Sequence, residues 1–209
     1  MTRIVLCDDH ALIRRGIRDT LTEQPDLDVV GEAGDYGELR ALLRQQPCDV
    51  LVLDINLPGR SGLDVLHALK EEASPIKVLI VSMYPEDQYA LRALRAGAYG
   101  YVNKGGDAAQ IVAAVRTVAQ GRKYVTPEMA QMLVENLTAP VSEAAHEKLS
   151  DRELQTLVLI ASGKRLADIA EALTLSPKTV SVYRARVLEK LGLTNNSEMT
   201  VYAIRNGLV

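Results

Sequence analysis

Asp49-Val50-Leu51-Val52-Leu53-Asp54 is the stretch that decides the fold. Four apolar residues with no polar alternation read as a short strand buried on both faces of a parallel sheet. The run ends abruptly in a carboxylate. Ile55-Asn56-Leu57-Pro58-Gly59 then turns the chain, and Gly62-Leu63-Asp64-Val65-Leu66 resumes with helical spacing. A side chain just past such a strand lies at the carboxyl edge of the sheet, where open α/β folds bind their ligands. Asp54 is therefore either a turn or capping carboxylate or a nucleophile or metal ligand. The rest of the chain decides between these.

Working outward, the strand–helix unit recurs. Arg3 to Cys7 is a first strand ending in Asp8-Asp9, followed by a helix from Ala11 to Leu21 with Leu12, Ile13, Ile17 and Leu21 on its inner face. Val29 to Glu32 is a second strand, and Tyr36 to Gln45 a helix that turns Leu39, Leu42 and Leu43 inward. After the quoted strand and the helix Leu63 to Glu71 comes Lys77 to Val81, ending in Ser82. A helix from Pro85 to Ala96, opened by Pro and closed by Gly97, has the expected asymmetry. Tyr99 to Asn103 is a fifth strand ending in Lys104, and Asp107 to Ala119 a fifth helix. This alternation predicts a doubly wound, five-stranded parallel sheet with helices on both faces. Four of the five strands deliver polar groups to one edge: Asp8-Asp9, Asp54, Ser82 and Lys104. That coincidence favours the chemical role for Asp54.

After Gly121 the pattern changes. A helix follows Pro127, with Met129, Met132 and Leu133 on one side, and Thr138 to His146 has the aperiodic character of a linker. From Leu149 onward everything is helical. Ser150 and Glu153 form a capping box for a helix running to about Ser162. Leu166 to Leu173 is a short second helix. Ser176-Pro177 opens a third that ends at Gly192, and Ser197 caps a fourth. A short helix, a tight turn and a longer helix make a helix-turn-helix. The expected division is 1–121, a linker over 122–147, and a smaller all-α domain over 148–209.

The totals agree with two domains. The chain has 209 residues and a net charge of −3. Residues 1–147 hold 15 basic and 21 acidic side chains, whereas 148–209 hold 9 and 6, so the second part can sit near a polyanion. With no Trp or Phe, Leu, Val, Ile and Ala must build the core. No apolar run approaches a membrane span, and a strand that starts almost at once, within Met1-Thr2-Arg3-Ile4, is expected to leave no room for a signal peptide. Cys7 and Cys48 are expected to be buried free thiols. The expected location is cytoplasmic.

The edge residues suggest one chemistry. Adjacent Asp8 and Asp9 repel each other unless a cation lies between them and a partner. Mg²⁺ takes carboxylates together with waters, phosphate or carbonyls. Asp9 and Asp54 can supply the carboxylates, Asp8 can hold a bound water, and the backbone carbonyl of Asn56 is within reach. A carboxylate attacking a phosphoryl group forms an acyl phosphate. Lys104 can neutralise one phosphoryl oxygen, and the Ser82 hydroxyl can donate to another.

These features resemble a known family. Asp8-Asp9, Asp54, Pro58, Ser82, Tyr101 and Lys104 are similar to the receiver domain of a two-component response regulator, a flavodoxin-like fold. Leu149-Ser150-Asp151-Arg152-Glu153, Gly163, Ile169-Ala170, Leu173, Ser176, Lys178-Thr179-Val180 and Lys190-Leu191 resemble the LuxR-type helix-turn-helix. Together they match the NarL/FixJ family over nearly the whole chain. The resemblance implies Asp54 as phosphoacceptor, and Asp9, Asp54 and the Asn56 carbonyl as Mg²⁺ ligands with Asp8 in the outer shell. It implies Lys104 as the phosphate-pairing cation and Ser82 with Tyr101 as the switch pair. It further implies a sensor histidine kinase or other phosphodonor, Mg²⁺-dependent self-phosphorylation rather than enzymatic turnover, and a homodimer on double-stranded promoter DNA. The sequence departs at Met83, where many receivers have a smaller residue, and at Gly105, where Pro is common. Tyr101 also fits a half-buried strand aromatic.

In the third helix of the second part, Val180, Val187 and Leu191 form a core stripe. The opposite face presents Lys178, Val182, Ala185 and Glu189, flanked by Ser181 and Arg186, with Thr179 in the same motif. Small apolar groups beside cations suit a major groove; a solvated face, favoured by Glu189, stays open. Arg184 is as well suited to an intradomain contact. The family match implies a dimer contact from the last helix through Met199, Val201, Tyr202 and Ile204. Two other classes compete: an aspartyl-phosphate phosphatase, disfavoured because Asn56 stands where a second acid is needed, and a regulator with a small-molecule sensor, disfavoured by the edge carboxylates.

Overall fold

A computed structural model of the chain describes residues 1–138 and 145–209, which fall in two compact units. The first opens with β1 (Thr2–Cys7), α1 (Ala11–Thr22), β2 (Leu27–Ala33), α2 (Tyr36–Gln45) and β3 (Val50–Leu53). It continues with α3 (Gly62–Glu71), β4 (Lys77–Ser82), α4 (Glu86–Ala96), β5 (Gly100–Asn103), α5 (Ala108–Ala119) and α6 (Pro127–Thr138). All pairings are parallel and the strand order is β2-β1-β3-β4-β5. The order reverses between β1 and β3, and ligand crevices form at the carboxyl ends beside such a switch point. The doubly wound expectation holds.

The sheet is buried on both faces, as its unbroken apolar runs require. Ile4, Leu6, Val50, Val52, Leu79 and Val81 pack with Ile17 and Leu21 of α1 and with Val112, Val115 and Val118 of α5. The alternate residues Val5, Leu51, Leu53 and Ile80 are equally buried and point to the other side of the pleat. One expectation fails on α1: Leu12 is 84% exposed, while Ile17 and Leu21 are buried. Ile13 already packs at that turn, and a residue one step along a helix points about a quarter-turn away.

Capping sets the helix ends. Ser61 and Asp64 form a capping box on α3, and Asp35 and Asp107 cap α2 and α5. Gly97 closes α4 with φ 115°, a left-handed conformation that favours glycine. After α5 the chain runs beside the sheet edge, where Tyr124 bridges Gly100 and its N–H donates to the Tyr99 carbonyl (2.7 Å). Thr126 caps α6 by accepting from Met129 N–H (3.2 Å), and its hydroxyl donates to Glu86 of α4 (3.1 Å). Met129 is buried. Residues 122–138, read from sequence as linker, thus pack on the first unit; the linker residues 139–144 lie outside the described residues.

The second unit contains a short 3₁₀ turn (Ala145–Lys148), α7 (Asp151–Ala161), α8 (Leu166–Ala172), α9 (Pro177–Leu191) and α10 (Asn196–Arg205). The Ser150/Glu153 capping box forms as expected, and Lys190 Nζ lies 2.6 Å from Glu153, tying α9 to α7. The cap of α10 is Asn195, not Ser197. Asn and Ser are both good caps, and here the Asn195 side chain accepts from Glu198 N–H. Among the described residues no helix is long and apolar enough to cross a membrane.

Candidate functional site

The site is assembled at the carboxyl edge by extending the strand ladder one residue past each strand. Asp8 N–H donates to the Ala33 carbonyl (3.0 Å), Asp54 N–H to the Cys7 carbonyl (2.8 Å), and Lys104 N–H to the Ser82 carbonyl (2.8 Å). These bonds bring residues from sequence positions 8, 54 and 104 together. Lys104 Nζ lies 2.7 Å from Asp8 Oδ2 and 2.7 Å from Asp54 Oδ2, and all three side chains are at least nine-tenths buried. Buried charges persist only when paired, and here one ammonium answers two carboxylates. Burial pushes the Asp54 carboxyl up to about 6, against the downward pull of Lys104. The nearby Asp8 also raises it, whereas a hydrogen bond from the Asn56 backbone lowers it.

Asp9 completes an acidic cluster. One ligand atom each from Asp8, Asp9, His10 and Asp54 lies within 4.8 Å of the others. Asp9 Oδ1 is buried without a hydrogen-bond partner. Its near neighbour is His10 Nδ1 at 2.6 Å, and three carboxylates converging here are the donor set of a hard divalent cation, so the residues fit Mg²⁺. Asp8 is steadied from behind: its Oδ1 accepts from His10 N–H (2.9 Å), and its carbonyl accepts from Arg14.

The approach of α3 depends on Gly62. A Cβ at this position would lie 2.1 Å from the Asp54 carbonyl oxygen. Gly62 N–H donates to the Ile55 carbonyl (2.8 Å), so the start of α3 packs directly on the backbone that carries Asp54. On the opposite side, Ser82 and Tyr101 are buried and interact through their hydroxyls. Tyr101 is wholly buried, not half-buried, because its hydroxyl donates to the Tyr84 carbonyl (2.7 Å). Asn103 Nδ2 donates to the same carbonyl (3.1 Å). The loop between β4 and α4 is thus bound to β5 at two points. Met83 in that loop is 63% exposed.

On α9, Lys178, Ser181, Val182, Ala185 and Arg186 are exposed, and Val180 and Val187 are buried. Thr179 is partly buried, its hydroxyl 2.8 Å from that of Ser176. Arg184 donates to Asn196 (2.6 Å), the intradomain alternative. On α10 the expected dimer face divides. Met199 is fully buried and Tyr202 hydrogen-bonds His146, whereas Val201 and Ile204 are exposed. Met199 fails as a surface contact because it faces the interior of its own unit.

Sequence reasoning passed over His10, Gly62 and Asn103. His10 adjoins an acidic pair and Gly62 opens α3, but their contacts are made across loops that spacing does not describe.

Residues 4–116 match the response regulator receiver domain family, and residues 147–203 match the luxR family of bacterial regulatory proteins. The chain belongs to the NarL/FixJ response regulators. It is 37% identical over 209 residues to response regulator GacA of Pseudomonas protegens, covering all of this chain and 98% of that one. It is 34% identical over 209 residues to response regulator UvrY of Escherichia coli, covering all of this chain and 96% of the relative. Among solved structures, it resembles RcsB of Salmonella enterica serovar Typhimurium bound to promoter rprA with the phosphomimetic BeF₃⁻. That likeness has a TM-score of 0.64 at 25% identity and covers 96% of this chain and 97% of that one. This NarL/FixJ protein is a two-component response regulator that joins a receiver to a LuxR-type DNA-binding domain, and its homologues regulate transcription via phosphorylation. It is a regulator, not a classical enzyme.

Proposed function

We propose that Asp54 is the phosphoacceptor. The observation that carries this is the buried Asp54–Lys104–Asp8 cluster at the switch point of the sheet. An Asp54 carboxylate oxygen attacks phosphorus in a phosphodonor, in the cell a sensor histidine kinase. The donor's bond to phosphorus breaks, the leaving nitrogen or oxygen takes up a proton, and Asp54 carries an acyl phosphate. Phosphoryl transfer requires mainly positioning and charge neutralisation. Lys104 answers the negative phosphoryl oxygens. The assigned Mg²⁺ ligands are Asp9, Asp54 and the Asn56 carbonyl, with Asp8 acting through water. A cation there supplies electrostatic shielding between nucleophile and phosphate. The same site, charged by a small phosphodonor, accounts for self-phosphorylation without turnover.

Ser82 donates to the phosphoryl group and draws the loop after β4 inward, and Tyr101 follows through Tyr84, whose N–H donates to the Ser82 hydroxyl (3.3 Å) and whose carbonyl accepts from Tyr101. The phosphorylated receiver, residues 1–121, favours a homodimer. In the 148–209 domain, Lys178, Thr179, Ser181, Val182, Ala185 and Arg186 of α9 face promoter DNA. The promoter-bound RcsB relative supports this assignment.

The test is intact mass of the full chain after incubation with Mg²⁺ and a small phosphodonor. Wild type gains one phosphoryl group, excess chelator suppresses the gain, and Asp54→Asn gains none. Undiminished labelling of Asp54→Asn would remove Asp54 from this role.

A further inference from the structure

We infer that His10 makes the carboxylate site selective among divalent ions, adding an imidazole ligand that favours a first-row transition ion over Mg²⁺. This rests on the reading that Asp9 and Asp54 hold a divalent cation. The turn after β1 brings the His10 ring back over the acidic pair: Nδ1 lies 2.6 Å from Asp9 Oδ1 and 3.5 Å from Asp8 Oδ1. The contact to Asp9 is of ion-pair length. A cation held by Asp9 and Asp54 would take the His10 ring nitrogen over from that contact, since one ligand atom from each of Asp8, Asp9, His10 and Asp54 lies within 4.8 Å of the others. Neighbouring ligands on an ion with bonds of about 2.1 Å stand roughly 3 Å apart, and these two distances bracket that value.

The surroundings agree. Lys104 takes the outer oxygens of Asp8 and Asp54, and the His10 backbone N–H takes Asp8 Oδ1. The near neighbour of Asp9 Oδ1 is the His10 ring itself. The His10 side chain is 54% exposed, so its ring can adjust to an ion without repacking the core. Oxygen ligands alone suit Mg²⁺ and Mn²⁺, whereas an imidazole beside carboxylates favours Ni²⁺ or Zn²⁺, which stand well above Mn²⁺ in the first-row affinity order. The alternative role for His10 is to orient Asp9, which would act on every ion alike.

The experiment uses the full chain, freed of metal by chelation, titrated calorimetrically with Mg²⁺ and with Ni²⁺. The expected result is Ni²⁺ binding at least about tenfold tighter than Mg²⁺ in wild type. His10→Gln lowers Ni²⁺ affinity by about tenfold or more while Mg²⁺ affinity stays within about twofold, and Asp9→Asn weakens both. Pulsed electron paramagnetic resonance of the Mn²⁺-loaded chain shows an imidazole nitrogen coupling that His10→Gln removes. Equal losses for both ions would reduce His10 to orienting Asp9 and overturn the inference. Unchanged Ni²⁺ affinity in His10→Gln would also overturn it, by placing the ion on His67, His146 or another surface group. If wild type bound no divalent ion, the cation site itself would fall. If Mg²⁺ bound and selectivity ignored His10, only this inference would.

Discussion

At Asp54, burial and charge oppose each other. Burial raises its proton affinity to about 6, and the Lys104 ammonium limits the rise. The folded carboxyl thus binds its proton more tightly than the unfolded one. Protonation favours the native state, and that stability is lost as pH rises from roughly 4 through 6. Asp54→Asn has no such loss. Without divalent ions at pH 7.5 it is expected to be more stable than wild type by about 1–3 kcal/mol, the two converging near pH 4. Urea unfolding across this range measures the difference, and parallel pH profiles would assign the raised affinity to another group. Asp49, at the other end of the same strand, has the opposite sign. Arg3 grips it at 2.9 and 2.6 Å and holds its carboxyl down at about 2. Two aspartates flank one four-residue strand: one in a half-buried ion pair near the surface that is a minor contributor to stability, the other the centre of the site.

At the scale of elements, the start of α3 is the closest approach in the receiver. Its capping box fixes the helix direction, and the missing side chain at Gly62 lets it rest on the Asp54 carbonyl. A methyl group there must displace either α3 or the end of β3. Gly62→Ala is expected to cost about 2–4 kcal/mol, in the range of severe overpacking, and to slow phosphate incorporation. Gly16 is the counterpart: it lies within α1, and a Cβ there meets nothing within 4 Å. Gly16→Ala is expected to stabilise by up to about 1 kcal/mol through helix propensity. Thermal unfolding of the two variants should therefore move in opposite directions, and a stable, normally phosphorylated Gly62→Ala would refute the packing argument. The cap of α6 links elements in another way. Thr126 bonds both its own helix and Glu86 at the start of α4, so the helix that follows the receiver is anchored to the helix after the proposed switch loop.

For the whole molecule, the first unit carries the phosphoryl chemistry and the second the exposed face of α9. A coupling of about 1–3 kcal/mol is typical of such control, giving roughly 5–150-fold tighter binding. Tethering two DNA-binding domains makes the second half-site effectively intramolecular. The expected outcome is that phosphorylation tightens binding to a promoter with two half-sites far more than to one with a single half-site. Lys178→Ala should weaken binding to all sequences and reduce the salt slope by about one, as for a lost phosphate contact. Val182 substitutions should alter base preference instead. Salt-controlled titrations of phosphorylated and unphosphorylated chain on both promoters provide the measurement. Equal affinities in all four combinations would show that neither phosphorylation nor pairing controls binding.

The sequence by itself determined the alternation of strands and helices, the Ser150/Glu153 capping box of the second unit, and the polar groups at four strand ends. Those are local properties: apolar runs of strand length, a hydroxyl before a helix, a carboxylate after a strand. It also marked which side of α9 is buried, because Val180 and Val187 recur at helical spacing. Strand direction already set Asp54 apart from Asp49, but only the tertiary structure decided what each meets across the sheet: Arg3 for Asp49, and Lys104 and Asp8 for Asp54. Only packing turned Leu12 outward, drew Met199 inward, buried Tyr101 completely and chose Asn195 over Ser197 as a cap. The contacts of His10 with Asp9, Gly62 with the Asp54 carbonyl, and Tyr101 and Asn103 with Tyr84 depend on how loops close over a strand edge. Periodicity records which face of an element is apolar, but not which atoms of two loops come within bonding distance once those faces are buried.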